Sequence, residues 1–414
     1  MINNKLTAPD LMELENKYGA HNYHPIPVVL ERGEGVYVWD VDGKKYFDFL
    51  SAYSAVNQGH CHPKIIEALI KQAQKLTLTS RAFYNNQLGV YEQFITGFFG
   101  YDKVLPMNTG AEAVETAIKL CRKWAYEKKQ LAENSAKIIV CENNFHGRTT
   151  TIVSFSVDPD AYNHYGPYTP GFIVIPYNDV KALEQVLKSN PDIAGFLVEP
   201  IQGEAGAYVP DDGYLKTCFD LCKQHNVLFM ADEVQTGIAR TGKMLACDYE
   251  NVHPDILILG KALSGGTYPV SAVLADNEIM EVFRPGQHGS TFGGNPVAAS
   301  VAVTALEVVT NEKLVEKAYE LGIYFRNEMT KLCETSTVAS YVRGKGLLNA
   351  LVINNQSHEN LAWDICLKLA ENGLLAKPTH TNIIRFAPPL VISEQEIATC
   401  VDIIRNTIKT FEQS

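Results

Sequence analysis

Two short apolar runs, each leading into a residue that can do chemistry, set the terms for this chain. Ile256–Leu259 is rich in β-branched residues and ends at Gly260, with Lys261 next and the small-residue stretch 262–266 behind it. Upstream, residues 227–235 (VLFMADEVQ) form a second apolar run, ending in Asp232 and Glu233. Runs of this length and composition read as strands buried on both faces, as in a parallel sheet. Taken alone, a lysine at a strand end is a solvated surface group. A lysine held in a pocket would instead form a Schiff base with a carbonyl cofactor. The partner decides between them. Two strand ends, one offering an amine and one a carboxylate, match what pyridoxal phosphate requires. The amine holds the aldehyde, and the aspartate keeps the pyridine nitrogen protonated so that the ring can accept electrons. A nucleotide-binding P-loop is excluded: Ala262 follows the lysine, and Asp255 stands where that motif needs glycine.

Strands and helices alternate around these two runs. The pattern predicts strands at Lys137–Cys141, Phe172–Ile175, 194–198, 227–231, Ile256–Leu259 and 270–274, with helices at 180–188 and 214–225. This βαβ rhythm predicts an α/β fold with a mostly parallel central sheet covered by helices. Ligands of such sheets sit outside the carboxyl ends of the strands. Phe145, Arg148, Glu199, Glu204, Asp232, Gln235 and Lys261 all fall just past strand ends, which predicts one site. Earlier in the chain, residues 105–113 open a long helix to about Lys128. Thr109 and Gly110 lie at its N-terminus, where free N–H groups and the helix dipole favour a phosphate. An ordinary N-cap threonine followed by glycine would look the same.

The flanking regions are simpler. A helix at 8–18, a hairpin across 36–49 and a helix from Pro63 to about Leu76 precede the alternating region. A Gly-rich loop, 288–296, leads into a helix at 297–309. From about residue 302 the pattern becomes a smaller α+β unit, with helices near 313–332 and 360–372 and strands near 347–353 and Ile383–Phe386, the last carrying Arg385. The expected division is an N-terminal segment 1–53, a large cofactor-binding domain 54–301 and a small C-terminal domain 302–414.

Composition narrows the class. With 46% hydrophobic and 20% charged residues over 414 positions, the chain has the make-up of a soluble enzyme with ample core. A net charge of −11 argues against a nucleic-acid partner. No apolar run reaches membrane-spanning length. Residues 1–19 show neither the apolar core of a secretory signal nor the Arg/Ser-rich character of a transit peptide. Nine scattered cysteines suggest reduced thiols and a cytoplasmic location. Cys218 and Cys222 read as the buried side of a helix, and the His60-Cys61-His62 cluster lacks further ligands at zinc-like spacing.

The stretch 232–237 (DEVQTG), continuing through 239–243 (ARTGK) to Lys261, resembles the signature of the class III pyridoxal-phosphate-dependent aminotransferases. Residues 109–113, 145–148 and 291–296 match as well, and the likeness runs from about Tyr18 to Pro389. Within the class, the loop around Tyr23 and the stretches 54–60 and 198–206 are most similar to the ornithine aminotransferase branch. The resemblance implies a fold-type I transferase with pyridoxal 5′-phosphate as cofactor. It implies that Lys261 holds the cofactor aldehyde and, once released, moves a proton between substrate and cofactor carbons. Asp232 would pair with the ring nitrogen and Gln235 would sit near the ring hydroxyl. Phe145 would stack on the ring, unless it is simply a core aromatic. Gly110 and Ala111 would donate N–H groups to the phosphate, and Glu199 would complete the cofactor site. Thr291, with Ser290, would reach the neighbouring subunit's cofactor, making a homodimer, or a dimer of dimers, the active form.

The same resemblance implies L-ornithine and 2-oxoglutarate as substrates, giving glutamate 5-semialdehyde, which cyclises to pyrroline-5-carboxylate, and glutamate. Ornithine presents a terminal amine, so no carboxylate lies beside its reacting carbon; 2-oxoglutarate places one there. Arg385 paired with Glu204 would hide a cation in one half-reaction and expose it in the other, although a plain structural salt bridge has the same sequence appearance. Arg148 would take the far carboxylate, Tyr23 would hold ornithine's amino-acid end, and Tyr53 would line the pocket. The alternatives are N-acetylornithine or 4-aminobutyrate as donor, a mutase or decarboxylase on the same scaffold, and a non-catalytic binding descendant.

Overall fold

The computed structural model describes residues 6–355 and 358–412. The first five residues of the expected N-terminal segment and the last two of the expected C-terminal domain lie outside the described residues. At the centre is a seven-stranded sheet in the order Lys103–Met107, Ser271–Ala275, Ile256–Leu259, Leu228–Asp232, Ile193–Val198, Lys137–Cys141, Phe172–Ile175. Ser271–Ala275 runs antiparallel to both neighbours, and the remaining pairings are parallel.

The inner strands are apolar along most of their length because both sheet faces are covered there. Ile138 and Val140 point to one face and pack with Ala113, Val114, Ala117 and Cys121 of the helix Gly110–Glu127. Ile139 and Cys141 point to the other and pack with Leu183 of Val180–Ser189 and with Leu215, Cys218 and Cys222 of Tyr214–Gln224. The period of two thus splits each strand between two cores, and each large side chain so buried contributes roughly 1.5–3 kcal/mol.

Several elements go beyond the sequence expectation. Lys103–Met107 contains Pro106, which a central strand would exclude. It is tolerated because this strand is the sheet edge and, among the described residues, pairs only with Ser271–Ala275. The expected hairpin is three strands, Leu30–Glu34, Tyr37–Asp40 and Lys45–Asp48, and the parallel strand Leu374–Leu375 joins its open side. Ala339–Lys345, Leu348–Ile353, Ile383–Phe386 and Lys377–Thr379 make a third sheet, antiparallel in every pairing. The expected boundary at residue 302 falls inside the helix Pro296–Asn311. Among the described residues no helix is long and apolar enough to cross a membrane.

One turn matters for the site. Ser51, Ala52, Tyr53 and Ser54 have φ of 49°, 46°, 58° and 72°, a left-handed turn with no glycine in it. Such a conformation costs roughly 1–2 kcal/mol per residue. A local turn and one distant bond lead into it: Asp48 Oδ1 accepts the N–H groups of Leu50 and Ser51, both at 2.9 Å, and Phe49 O accepts the N–H of Ala387 at 2.8 Å.

Candidate active site

The carboxyl ends of the parallel strands enclose a cavity of about 180 Å³, lined by Gly110, Ala111, Phe145, His146, Glu199, Asp232, Gln235 and Lys261 among others. Lys261 opens the short 3-10 turn Lys261–Ser264 with φ 43°. Burial lowers its pKa despite the opposing pull of Glu204 and Asp232, and so favours the neutral, nucleophilic amine. Asp232 closes the strand Leu228–Asp232 and is 5% exposed. His146 Nδ1 lies 2.7 Å from Asp232 Oδ2, and Val234 N–H donates to Oδ1 at 3.1 Å. Burial is the largest influence and alone would lower the His146 pKa, but the bond to Asp232 together with the charges of Asp232 and Glu199 turns the net direction upward. Glu199 accepts the Phe145 N–H at 2.9 Å, and burial pushes its carboxyl up to about 7.

The long helix opens on a capping box. Thr109 Oγ1 accepts the Glu112 N–H at 3.2 Å, while Glu112 Oε2 accepts those of Asn108 and Thr109 at 2.8 and 3.2 Å. The next two N–H groups, of Gly110 and Ala111, meet no acceptor among the described residues. They face the cavity as an anion site. Two other polar atoms here are buried without a partner: His146 Nε2 and Gln235 Oε1. Unmet donors at a helix start, a desolvated lysine and a buried carboxylate lining one cavity are what a phosphorylated pyridine aldehyde would complete.

The neighbouring polar groups form a chain leading outward. Gln235 Nε2–H donates to Glu204 Oε1 at 3.2 Å, and Arg385 Nη1–H donates to the same oxygen at 2.7 Å. Burial pushes the Glu204 carboxyl up, but the Arg385 guanidinium prevails and holds it below its usual range. Arg385, 5% exposed, lies with its guanidinium 5.1 Å from the centre of the Tyr53 ring. Tyr53 and Tyr23 line a second cavity of about 520 Å³, together with Lys377. Tyr23 is 66% exposed, so it stands at the outer end of this path and does not line the inner cavity. Arg148 is exposed at the rim, 5.9 Å from the Phe145 ring, with no ion pair among the described residues. Ser290 Oγ accepts from Asn108 Nδ2 at 2.8 Å, whereas Thr291 and Phe292 are exposed and do not line the cavity of their own chain.

The class III aminotransferase family model matches residues 18–408. This chain belongs to the class III aminotransferases. It is 63% identical to the mitochondrial ornithine aminotransferase of Drosophila melanogaster, over 95% of this chain and 90% of that protein. Among solved structures it resembles an acetylornithine aminotransferase from Elizabethkingia anophelis, with a TM-score of 0.91 and 64% identity over 98% of this chain and 100% of that one. It also resembles the ornithine aminotransferase of Toxoplasma gondii ME49, with a TM-score of 0.96 and 48% identity over 99% and 96%. The cofactor of the family is pyridoxal 5′-phosphate, and the cavity's residues fit it.

Two residues that the sequence did not single out emerge from this geometry. His146 backs Asp232 from 86 positions away. Arg240, fully buried, donates to Leu347 O at 3.1 Å and Pro388 O at 2.7 Å and also bonds Asn57, tying the signature stretch to the C-terminal sheet. His146 stands inside a matching motif, so its proximity to the site was readable; neither partner was.

Proposed function

We propose that this class III enzyme is an L-ornithine:2-oxoglutarate δ-aminotransferase, and the observation that carries the proposal is the 2.7 Å Glu204–Arg385 pair beside the lysine cavity. A donor with a terminal amine needs no cation next to its reacting carbon, and the pair as found is neutralised. A keto acid with an α-carboxylate does need one, and Arg385 becomes available when Glu204 turns aside. Arg148, exposed and without an ion pair among the described residues, takes the far carboxylate of either substrate by a bidentate contact. Tyr53 lines the passage, and Tyr23 holds the amino-acid end of ornithine.

Bound in the cavity, pyridoxal phosphate supplies an aldehyde that carries the amino group and a ring that accepts electrons from the reacting carbon. The N–H groups of Gly110 and Ala111 hold its phosphate, joined by Thr291 and Ser290 of a second copy. Phe145 covers one ring face. Asp232, braced by His146, faces the ring nitrogen, and Gln235 faces the ring hydroxyl. Glu199 fixes the Phe145 backbone through its 2.9 Å bond. Lys261 takes the proton from the donor carbon and returns it on the neighbouring carbon.

We read the active form as a homodimer, in which Thr291 is exposed in its own chain because it serves the other. Phe83, Tyr84 and Phe292 support this, being 71%, fully and 48% exposed respectively. The free thiols fit a reducing compartment, and our expectation is cytoplasmic, although the Drosophila relative is named mitochondrial.

The test is an absorbance scan of holoenzyme with L-ornithine alone, then with 2-oxoglutarate. Conversion by ornithine and reversal by the keto acid support the assignment. Conversion only by N-acetylornithine, the donor named for the Elizabethkingia relative, would move this chain to that activity. Arg385→Ala should cut the keto-acid half-reaction at least about tenfold more than the ornithine half. Equal losses would make the pair a structural salt bridge.

A further inference from the structure

The carboxylate that covers Arg385 stands on a loop whose backbone is bonded, residue by residue, from the C-terminal sheet. Arg385 Nη1–H reaches Gly203 O at 3.5 Å. The Thr379 hydroxyl donates to Glu204 O at 2.8 Å. Arg343 donates Nη2–H to Ala205 O at 3.1 Å and Nε–H to Gly206 O at 2.8 Å. Its guanidinium lies 5.1 Å from the centre of the Tyr208 ring, which fixes the fork. Four consecutive carbonyls are therefore held by three side chains.

The loop is also closed in sterically. A Cβ at Gly203 would stand 1.6 Å from Gln235 Oε1, and one at Gly206, where φ is 92°, would stand 2.9 Å from the Ile383 side chain. Neither position has room for a side chain.

We propose that Arg343 and Thr379 are positioning residues for donor and acceptor selection: by clamping the carbonyls of residues 204–206 they bias Glu204 toward the arrangement that covers Arg385. The inference rests on reading Glu204–Arg385 as the switch between half-reactions. Uncovering is then a side-chain rotation against a fixed backbone. The clamp sets how much of the enzyme is covered before a substrate arrives. Only the covered form suits a donor lacking a carboxylate beside its reacting carbon, and only the uncovered form suits the keto acid. Loosening the clamp shifts the population toward the uncovered form. The two half-reactions must then respond with opposite sign, which a residue needed only for folding would not produce.

The experiment compares single-turnover rates of the two half-reactions in Arg343→Met, Arg343→Lys and Thr379→Val holoenzymes. It also measures calorimetric affinity for glutarate, a dicarboxylate with no keto group. In Arg343→Met the efficiency with ornithine should fall about fivefold while that with 2-oxoglutarate holds or rises, and glutarate should bind several-fold tighter. Thr379→Val, which removes one bond and little volume, should move all three readouts the same way by less, and Arg343→Lys should restore part of the loss. Parallel loss in both half-reactions, or unchanged or weaker glutarate binding in Arg343→Met and Thr379→Val, overturns the clamp. Arg385→Ala is run alongside. If it lowers both half-reactions equally, the switch itself is wrong; if it splits them and the clamp variants do not, only the clamp is wrong.

Discussion

At Lys261 a left-handed backbone coincides with burial deep enough to lower the amine's pKa, a combination that a solvated strand-end lysine lacks. Two buried carboxyls are displaced the other way. Glu199 and Glu233 are each raised by burial to about 7 from a usual 4.5. Between those values the folded chain keeps protons that the unfolded chain has released, so these groups' contribution to stability falls as pH rises through that window. Each proton is worth about 1.4 kcal/mol per pH unit. Melting temperatures of the cofactor-free protein from pH 5 to pH 8 should therefore decline more steeply in the wild type than in Glu199→Gln. Equal slopes would mean that Glu199 is ionised throughout. The residues legible in the sequence were those whose position announces them. Lys261 and Asp232 end apolar runs, and Gly110 begins a helix. His146 and Arg240 gain their meaning from partners 86 and 183 positions away, which no local pattern encodes.

The elements repeat this division between local and distant causes. The strands Lys137–Cys141, Phe172–Ile175 and Ile256–Leu259 fall where apolar runs predict them; the first and last are buried on both faces, while Phe172–Ile175, at the sheet edge, leaves Val174 exposed. The edge strand Lys103–Met107 was masked by its proline. The left-handed turn at Ser51–Ser54 has no glycine to mark it; Asp48 bonds the backbone at its start, and Ala387, just past the strand that carries Arg385, bonds Phe49 before it. The helix Glu394–Glu412 does carry a readable face in Ile397, Cys400, Val401, Ile404 and Ile408, but it lies beyond Pro389, where the family likeness read from motifs stops. At the start of Gly110–Glu127 the capping box serves stability and the anion site together. Thr109→Ala should cost about 1 kcal/mol in thermal unfolding. It should also weaken phosphate-ester retention, measured as cofactor loss on dialysis. Unfolding cost without cofactor loss would confine Thr109 to the helix.

At the scale of the whole molecule, exposed Thr291 and Phe292 predict that a complete site needs two copies. Lys261→Ala and Thr291→Asp chains, each inactive alone, can be unfolded, mixed and refolded. If Thr291 acts across the interface, hybrids carry one intact site of two, and about a quarter of wild-type activity should return. No recovery would place Thr291 in its own chain's site. The three-part division read from the sequence follows the alternation of elements, but pairing does not respect it: Lys45–Asp48 lies against Leu374–Leu375, and Phe49 bonds Ala387. This closure has a consequence for how the protein is made. During synthesis the strand at residues 45–48 emerges early, and its neighbour leaves the ribosome only after about nine-tenths of the chain, so domain-by-domain folding from the N-terminus is denied to it. The nascent chain carries an unpaired sheet edge for most of translation, a surface that invites aggregation and holding chaperones. Ribosome-bound chains halted before residue 374 should be cut by protease within residues 30–48, where released full-length protein resists; equal resistance would show that the early sheet closes without its last strand.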